Sequence, residues 1–365
     1  MSAESVEPPE MDAEEYAKTF GRMTEEKNEE FEKLSKTKLI ISLIGDANVG
    51  KSTTINALTG RKLEEVNPIS GWTKKIALHP YEKNVFIVDT PGLNDTKTAD
   101  LTERTQEFVE KDTDIILFFV NAASNRSQEE ANAFRSILKL EKPTVVVFNK
   151  IDTISGVFKE EVMQLEVIQP IVDDLKKRFG YELIVPISAE INKNVETLSN
   201  TIADILSKKG KDLLFLKISK YKNKRVTLWI RGASIAAAGI GALPIPGSDI
   251  IPLTSLQVGL CLRIAYIYDC KVTKGDAMNL ISSTVTGGIG KTLFRSAIKL
   301  IGNFTGVGVI ISSAVGASIA ASMTYGLGWA ANEYYKSGMT MDLGEVGETY
   351  KKAYESYKGD FRKTS

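Results

Sequence analysis

Five short stretches of almost unbroken apolar character, LIISLI (39–44), VFIVDT (85–90), DIILFFV (114–120), TVVVFNK (144–150) and ELIVPIS (182–188), punctuate the first 209 residues. A strand with one solvated face alternates apolar and polar residues. A strand that is apolar throughout is buried on both faces, which a mostly parallel sheet between two layers of helices provides. Between the runs lie segments of helical periodicity, SQEEANAFRSILKLEK (127–142) and NVETLSNTIADILSKK (194–209). This alternation predicts an α/β fold with a doubly wound, mostly parallel sheet over residues 38–209, followed by an all-α, Gly/Ala-rich domain.

At 365 residues the chain is long enough for two cores. Residues 1–37 are acidic, and EEYAKTFGRMTEEKNEEFEKL carries only a thin stripe of Tyr16, Phe20, Met23 and Phe31, which predicts a loosely docked N-terminal helical arm. Residues 210–231 read as a basic connector. Residues 232–340 read as helices: GASIAAAGIGA is stopped by LPIPGSDIIP, where Asp249 is expected to cap the returning helix LTSLQVGLCLRIAYIYDC. Residues 341–365 form a charged tail. The 46 basic and 46 acidic residues cancel, so no global field points to DNA or to an acidic substrate. Two cysteines, Cys261 and Cys270, are too few for a disulfide framework and predict a cytoplasmic protein; the start, MSAESVEPPEMDAEEY, has neither a basic region nor an apolar core of the kind a secretory signal carries.

The segment GDANVGKSTT (45–54) follows the first apolar run directly. Gly45, Gly50, Lys51 and Ser52 match G-x-x-x-x-G-K-[ST] between a strand and a helix, so backbone from Gly45 through Asn48, Val49 and Gly50 to Thr53 is expected to cradle phosphates. Lys51 is expected to neutralise the β and γ phosphates and the Ser52 hydroxyl to ligate Mg²⁺. Asp89 ends a strand beside that metal, Gly92 can turn its N–H toward the γ-phosphate, and the Thr73 hydroxyl can complete the Mg²⁺ shell when its segment closes. NKID (149–152) and ISAE (187–190) end the last two apolar runs. The Asp152 carboxylate can accept from N1–H and the exocyclic amine of guanine, donors that adenine does not pair in this way, so the nucleotide is expected to be GTP or GDP. Asn149 is expected to brace the loop, Lys150 to lie along the base, and Ala189 N–H to meet guanine O6.

On these motifs, residues 38–209 resemble the Era and TrmE branch of the translation-factor-related GTPases. The resemblance implies Ser52, Thr73 and Asp89 around Mg²⁺, with Asn149, Lys150, Asp152, Ser188 and Ala189 around the base. It also implies that Asn48 helps bind K⁺ between two G domains in a homodimer. Leu93 stands where many GTPases place a water-orienting glutamine, so turnover is expected to be slow until a partner or a second copy assists.

Leu300–Asn332 contains no charged residue, and Gly308, Ser312, Gly316, Ala320 and Gly328 recur at multiples of four. At about 1.5 Å per residue a continuous helix of that length would reach roughly 50 Å, past a hydrocarbon core near 30 Å, and the small stripe suits close helix approach in a bilayer. The lysines of the connector (Lys208, Lys209, Lys211, Lys217, Lys220, Lys222 and Lys224) and Arg225 suit anionic headgroups. Residues 226–330 resemble a small helical domain that accompanies some Era-like G domains, including membrane-associated bacterial proteins and distant relatives of the immunity-related GTPases. The expectation is a slow GTP-hydrolysing switch with a membrane-associated helical module. Its alternatives are a nucleotide-gated scaffold and a soluble ribosome-assembly GTPase.

Overall fold

A computed structural model describes residues 13–62, 69–73, 76–82, 84–89, 109–123, 128–154, 158–159, 162–163, 165–242, 250–285 and 313–364. They divide into an α/β unit spanning residues 34–222 and a helical unit made of residues 1–33 and 223–365.

The α/β unit is built on a seven-stranded sheet of β1 (Leu39–Ile44), β2 (Ile69–Thr73), β3 (Ile76–Glu82), β4 (Val85–Asp89), β5 (Ile115–Asn121), β6 (Thr144–Asn149) and β9 (Ile184–Pro186), in the order β2-β3-β4-β1-β5-β6-β9. The pairs β1/β4, β1/β5, β5/β6 and β6/β9 are parallel, and the β2–β3 hairpin adds two antiparallel strands at one edge. Strands β7 (Phe158–Lys159) and β8 (Val162–Met163) form a separate small hairpin. The expectation of a mostly parallel, doubly wound sheet holds. Every residue of β6 is buried, as is all of β5 before Asn121, which is why their sequences do not alternate. Helices α3 (Gln128–Leu138) and α4 (Leu165–Phe179) supply Phe134, Leu175 and Phe179 to one core, where Phe134 and Phe179 stack with centroids 5.1 Å apart. Helix α5 (Val195–Ser207) buries Val195, Leu198 and Ile202.

The basic connector is not a separate element. Residues 212–218 form helix α6, which buries Leu213, Leu214, Phe215, Leu216 and Ile218 inside the α/β unit. Lys211 and Lys209 turn inward as well: Lys211 Nζ lies 2.6 Å from Asp114 Oδ1, and Lys209 Nζ donates to the Asp114 carbonyl at 3.1 Å. Asp114 Oδ2 in turn accepts the Ile40 N–H at 3.0 Å, so these lysines are tied to the amino ends of the central strands β1 and β5.

The helical unit contains α1 (Ala13–Lys36, through Lys33), α7 (Lys222–Gly241, from Asn223), α8 (Ile250–Ile267), α9 (Lys274–Val285), α10 (Ser313–Lys336) and α11 (Leu343–Thr364). Two segments read as peripheral belong to its core. Helix α1 buries Tyr16, Ala17, Phe20 and Thr24, and α11, expected as a charged tail, buries Val346, Tyr350 and Tyr354. The small-residue stripe on α10 meets protein: a Cβ on Gly316 would stand 2.4 Å from the Gly241 carbonyl oxygen, and one on Gly328 would stand 2.8 Å from Ile230 Cγ1. Replacing Gly316 with alanine should therefore force α7 and α10 apart and cost the helical unit about 1–3 kcal/mol. A melting temperature equal to that of the unaltered protein would show that the two helices do not approach this closely. Among the described residues no helix is long and apolar enough to cross a membrane. Asp249, Gly308 and Ser312 lie outside the described residues. Cys261 is buried and Cys270 is half-buried, its Sγ 3.3 Å from the Tyr335 carbonyl, as packing residues would be.

Candidate functional site

In this sheet β4 and β5 flank β1 on opposite sides, so chain connections diverge at β1 and leave a crevice beyond the carboxyl ends of the strands. The sequence motifs fall there. The loop Gly45–Gly50 leaves β1 and opens α2 (Lys51–Thr59), whose first residue is Lys51. Gly50 caps α2 at φ 92°, and a Cβ on it would stand 2.2 Å from Asn149 Nδ2; the position excludes any side chain. Lys51 is 10% exposed and folds back on its own loop, with Nζ 3.0 Å from Gly45 O, 3.2 Å from Asp46 O and 3.8 Å from Asp89 Oδ1. Asp89 ends β4 in register with Leu43 of β1. Ser52 and Thr53 are half-buried in the first turn of α2, Val49 packs its side chain inward, and exposed Asn48 holds φ 62°, a conformation asparagine tolerates.

A second group of loops closes the crevice. Asn149 ends β6 at 2% exposure, and its amide spans two loops: Nδ2 donates to Val49 O at 2.9 Å and Oδ1 accepts Ala189 N–H at 3.1 Å. The Ala189 N–H expected at guanine O6 is thus already engaged, so O6 could take it only as a shared, bifurcated donor. Lys150 sits at φ 65° and its carbonyl accepts from the Thr153 N–H and hydroxyl, forming the single turn Ile151–Thr153 that carries Asp152. Asp152 Oδ1 and Ser188 Oγ are buried with no hydrogen-bond partner among the described residues. A buried carboxylate oxygen without a donor is costly unless something supplies one.

Two further residues stiffen the Ser188 loop and were not anticipated. Asn194 Nδ2 donates to Pro186 O at 2.6 Å, and Asn192 Oδ1 accepts from Lys220 Nζ at 2.7 Å, while Lys220 N–H donates to Leu58 O at the far end of α2. Their only signal was the run INKN, since asparagine holds left-handed turns; Asn192 and Asn194 have φ 56° and 57°. Thr73 ends β2, but its side chain, Gly92 and Leu93 lie outside the described residues.

Residues 40–150 match the family model described as 50S ribosome-binding GTPase, and residues 217–359 match a domain of unknown function, DUF697. The GTPase Era of Aquifex aeolicus is 33% identical over 177 residues, covering 46% of this chain and 56% of that protein. The GTPase Era of Ruminiclostridium cellulolyticum is 27% identical over 171 residues, covering 46% and 54% respectively. A crystal structure of an Aquifex aeolicus Era variant bound to GDP and AlF4⁻ aligns 45% of this chain with 55% of that one, at 30% identity and a TM-score of 0.34. The chain spans about half the length of the curated relatives it matches.

Proposed function

We propose that this chain, whose α/β unit is an Era-like P-loop G domain, binds GTP and hydrolyses it to GDP and phosphate as a slow switch whose helical unit associates with membrane. The observation that carries the nucleotide reading is the arrangement around Asn149. Its amide ties the phosphate loop to the Ser188 loop, while the buried Asp152 Oδ1 and Ser188 Oγ of the adjoining turns take no bond from the described residues. Guanine N1–H and its exocyclic amine are the donors that suit Asp152, and each bond to a carboxylate is charge-assisted.

The phosphates would lie over the N-terminus of α2, where backbone N–H groups and the helix dipole favour anions. Lys51 would exchange two neutral carbonyl acceptors for phosphate oxygens, a stronger pairing for an ammonium. Ser52 and Asp89 offer the hydroxyl and carboxylate oxygens that suit a hard dication, with Thr73 as a third donor. Held by those residues, Mg²⁺ would supply the positive charge that offsets the charge building on the phosphates during transfer. Gly92 would direct its N–H to the γ-phosphate. Leu93 has no polar atom with which to hold water, which supports a low intrinsic rate and assistance from a second copy. The exposure of Asn48 on the phosphate loop supports a K⁺ site completed across such a homodimer.

Phosphate release from GTP with Mg²⁺, followed over a range of protein concentrations in potassium and in sodium salt, tests this reading. Specific activity should rise with protein concentration and be greater in K⁺. Turnover independent of concentration would rule out activation by self-association. GTP retained unhydrolysed for hours would make the protein a nucleotide-gated scaffold. The membrane reading is supported by the apolar side chains that the helical unit exposes.

A further inference from the structure

Besides Leu343 at the start of α11, the helical unit exposes four large apolar side chains among the described residues. Leu228 (47% exposed) and Ile235 (69%) lie on α7, Ile251 (60%) on α8 and Val315 (40%) on α10. Helix α7 buries Val226, Ile230, Ser234 and Ala237, which turns Leu228 and Ile235, two turns apart, to the opposite side. Exposed Lys224 and Arg231 share that side, and α7 contains four basic residues and no acidic one.

Charge stops abruptly along the unit. Beyond Arg231, α7 is uncharged to its end at Gly241; α8 is uncharged before Arg263, and α10 before Glu333. These uncharged ends meet, since Gly241 abuts Gly316 and Ala237, Leu253 and Ala320 form one cluster. Ile251 and Val315 are therefore exposed at the end of the unit toward which the face of α7 runs.

We propose that the outward face of α7, continued by Ile251 and Val315, lies flat on an anionic lipid surface. Leu228 and Ile235 enter the boundary between headgroups and acyl chains, and Arg231 pairs with lipid phosphate. The inference rests on the membrane reading above and names the surface and the lipid charge that reading leaves open. Charge complementarity favours lipid over a second copy of this chain: a two-fold axis through the centre of this face would bring Arg231 of one copy against Arg231 of the other, with no carboxylate on either α7. Among the described residues, no charged group on the uncharged ends would have to be desolvated at a bilayer.

The test is flotation of the full chain with vesicles of phosphatidylcholine alone and of phosphatidylcholine mixed with phosphatidylglycerol. The chain should float with the mixed vesicles and poorly with the neutral ones. The double variant L228D/I235D should reduce that binding by about tenfold or more, because it removes both inserting side chains and adds two like charges facing the lipid. The variant R231E should weaken binding to the mixed vesicles alone. Circular dichroism melts should be unchanged, since all three side chains are solvated in the unbound protein. If the unaltered chain floats and L228D/I235D floats equally well, this face is the wrong one and the membrane reading survives. If the unaltered chain floats with neither vesicle, the membrane reading falls and this inference with it. If the double variant loses a dimer seen by light scattering but floats as before, the face belongs to a second copy, and the lipid assignment is overturned.

Discussion

Replacing Asp152 with asparagine should lower GTP affinity by about 10²–10⁴-fold while leaving the unliganded protein as stable as before. The magnitude follows from two hydrogen bonds to a charged acceptor, each worth roughly 1.5–3 kcal/mol. The stability half follows from the structure: Asp152 Oδ1 is buried without a partner among the described residues, so the substitution breaks no bond from them to that atom. An asparagine amide presents one donor and one acceptor in place of two acceptors. Xanthine carries a carbonyl where guanine carries its exocyclic amine, so the variant should gain affinity for xanthosine triphosphate as it loses GTP. Competition of GTP and xanthosine triphosphate against a fluorescent guanine nucleotide would measure both. Unchanged GTP affinity in the variant would mean that Asp152 does not touch the base and that the guanine reading of the Asn149–Asp152 turn is mistaken.

Asn149 deserves a different expectation from its neighbour, because its role is within the protein. Both ends of its amide are used, on Val49 O and on Ala189 N–H, so the phosphate loop and the Ser188 loop hold each other in place before any ligand arrives. Preorganisation of this kind spares a bound nucleotide the ordering of two loops. Lys220 extends the same logic, joining the Ser188 loop through Asn192 to the end of α2 at Leu58, so that the helix beginning at the phosphates is tied at its far end to the base side of the site.

The strands and the site loops were legible because their signals are local. A buried parallel strand must be apolar throughout, as in DIILFFV and TVVVFNK, and a phosphate loop needs glycine and lysine at fixed offsets. What was not legible depends on partners distant in sequence. The run DLLFLKI (212–218) is too short to declare itself against the lysines around it, yet it is a buried helix of the α/β unit. The lysines that seemed to mark a lipid-binding connector include Lys209 and Lys211, whose partner Asp114 lies almost a hundred residues away. The small-residue stripe of α10 reads identically whether lipid-embedded helices or the unit's own α7 approach it; only the Gly241–Gly316 contact decides. The acidic start of the chain hides its packing most: its charges cover one side of α1, and the thin stripe on the other packs against helices more than 200 residues later in the chain.

Replacing Phe20 with alanine should destabilise the helical unit by about 3–5 kcal/mol, the usual cost of deleting a buried aromatic side chain, and leave GTP affinity unchanged. Phe20 is 1% exposed, and the helix around it is fastened along its length. Tyr16 donates to Gln257 Oε1, whose amide donates onward to Thr324 Oγ1 at 3.0 Å, so α1, α8 and α10 share one buried polar chain. Lower down, Asn28 Nδ2 donates to Val272 O at 2.9 Å, and Phe31 packs on Tyr266 with centroids 5.6 Å apart. A loss of this size is a large part of the roughly 5–15 kcal/mol that holds a typical domain folded. Because the α/β unit is inserted between α1 and α7 of the helical unit, the two should respond separately. Calorimetry should show one transition falling and a second, raised by added GTP, staying in place. Deleting residues 1–33 should go further, removing a wall of the helical core and leaving residues 223–365 open to protease while nucleotide binding persists. A Phe20 variant that melts as the unaltered protein does would return α1 to the role its composition suggests, an arm resting on a core complete without it.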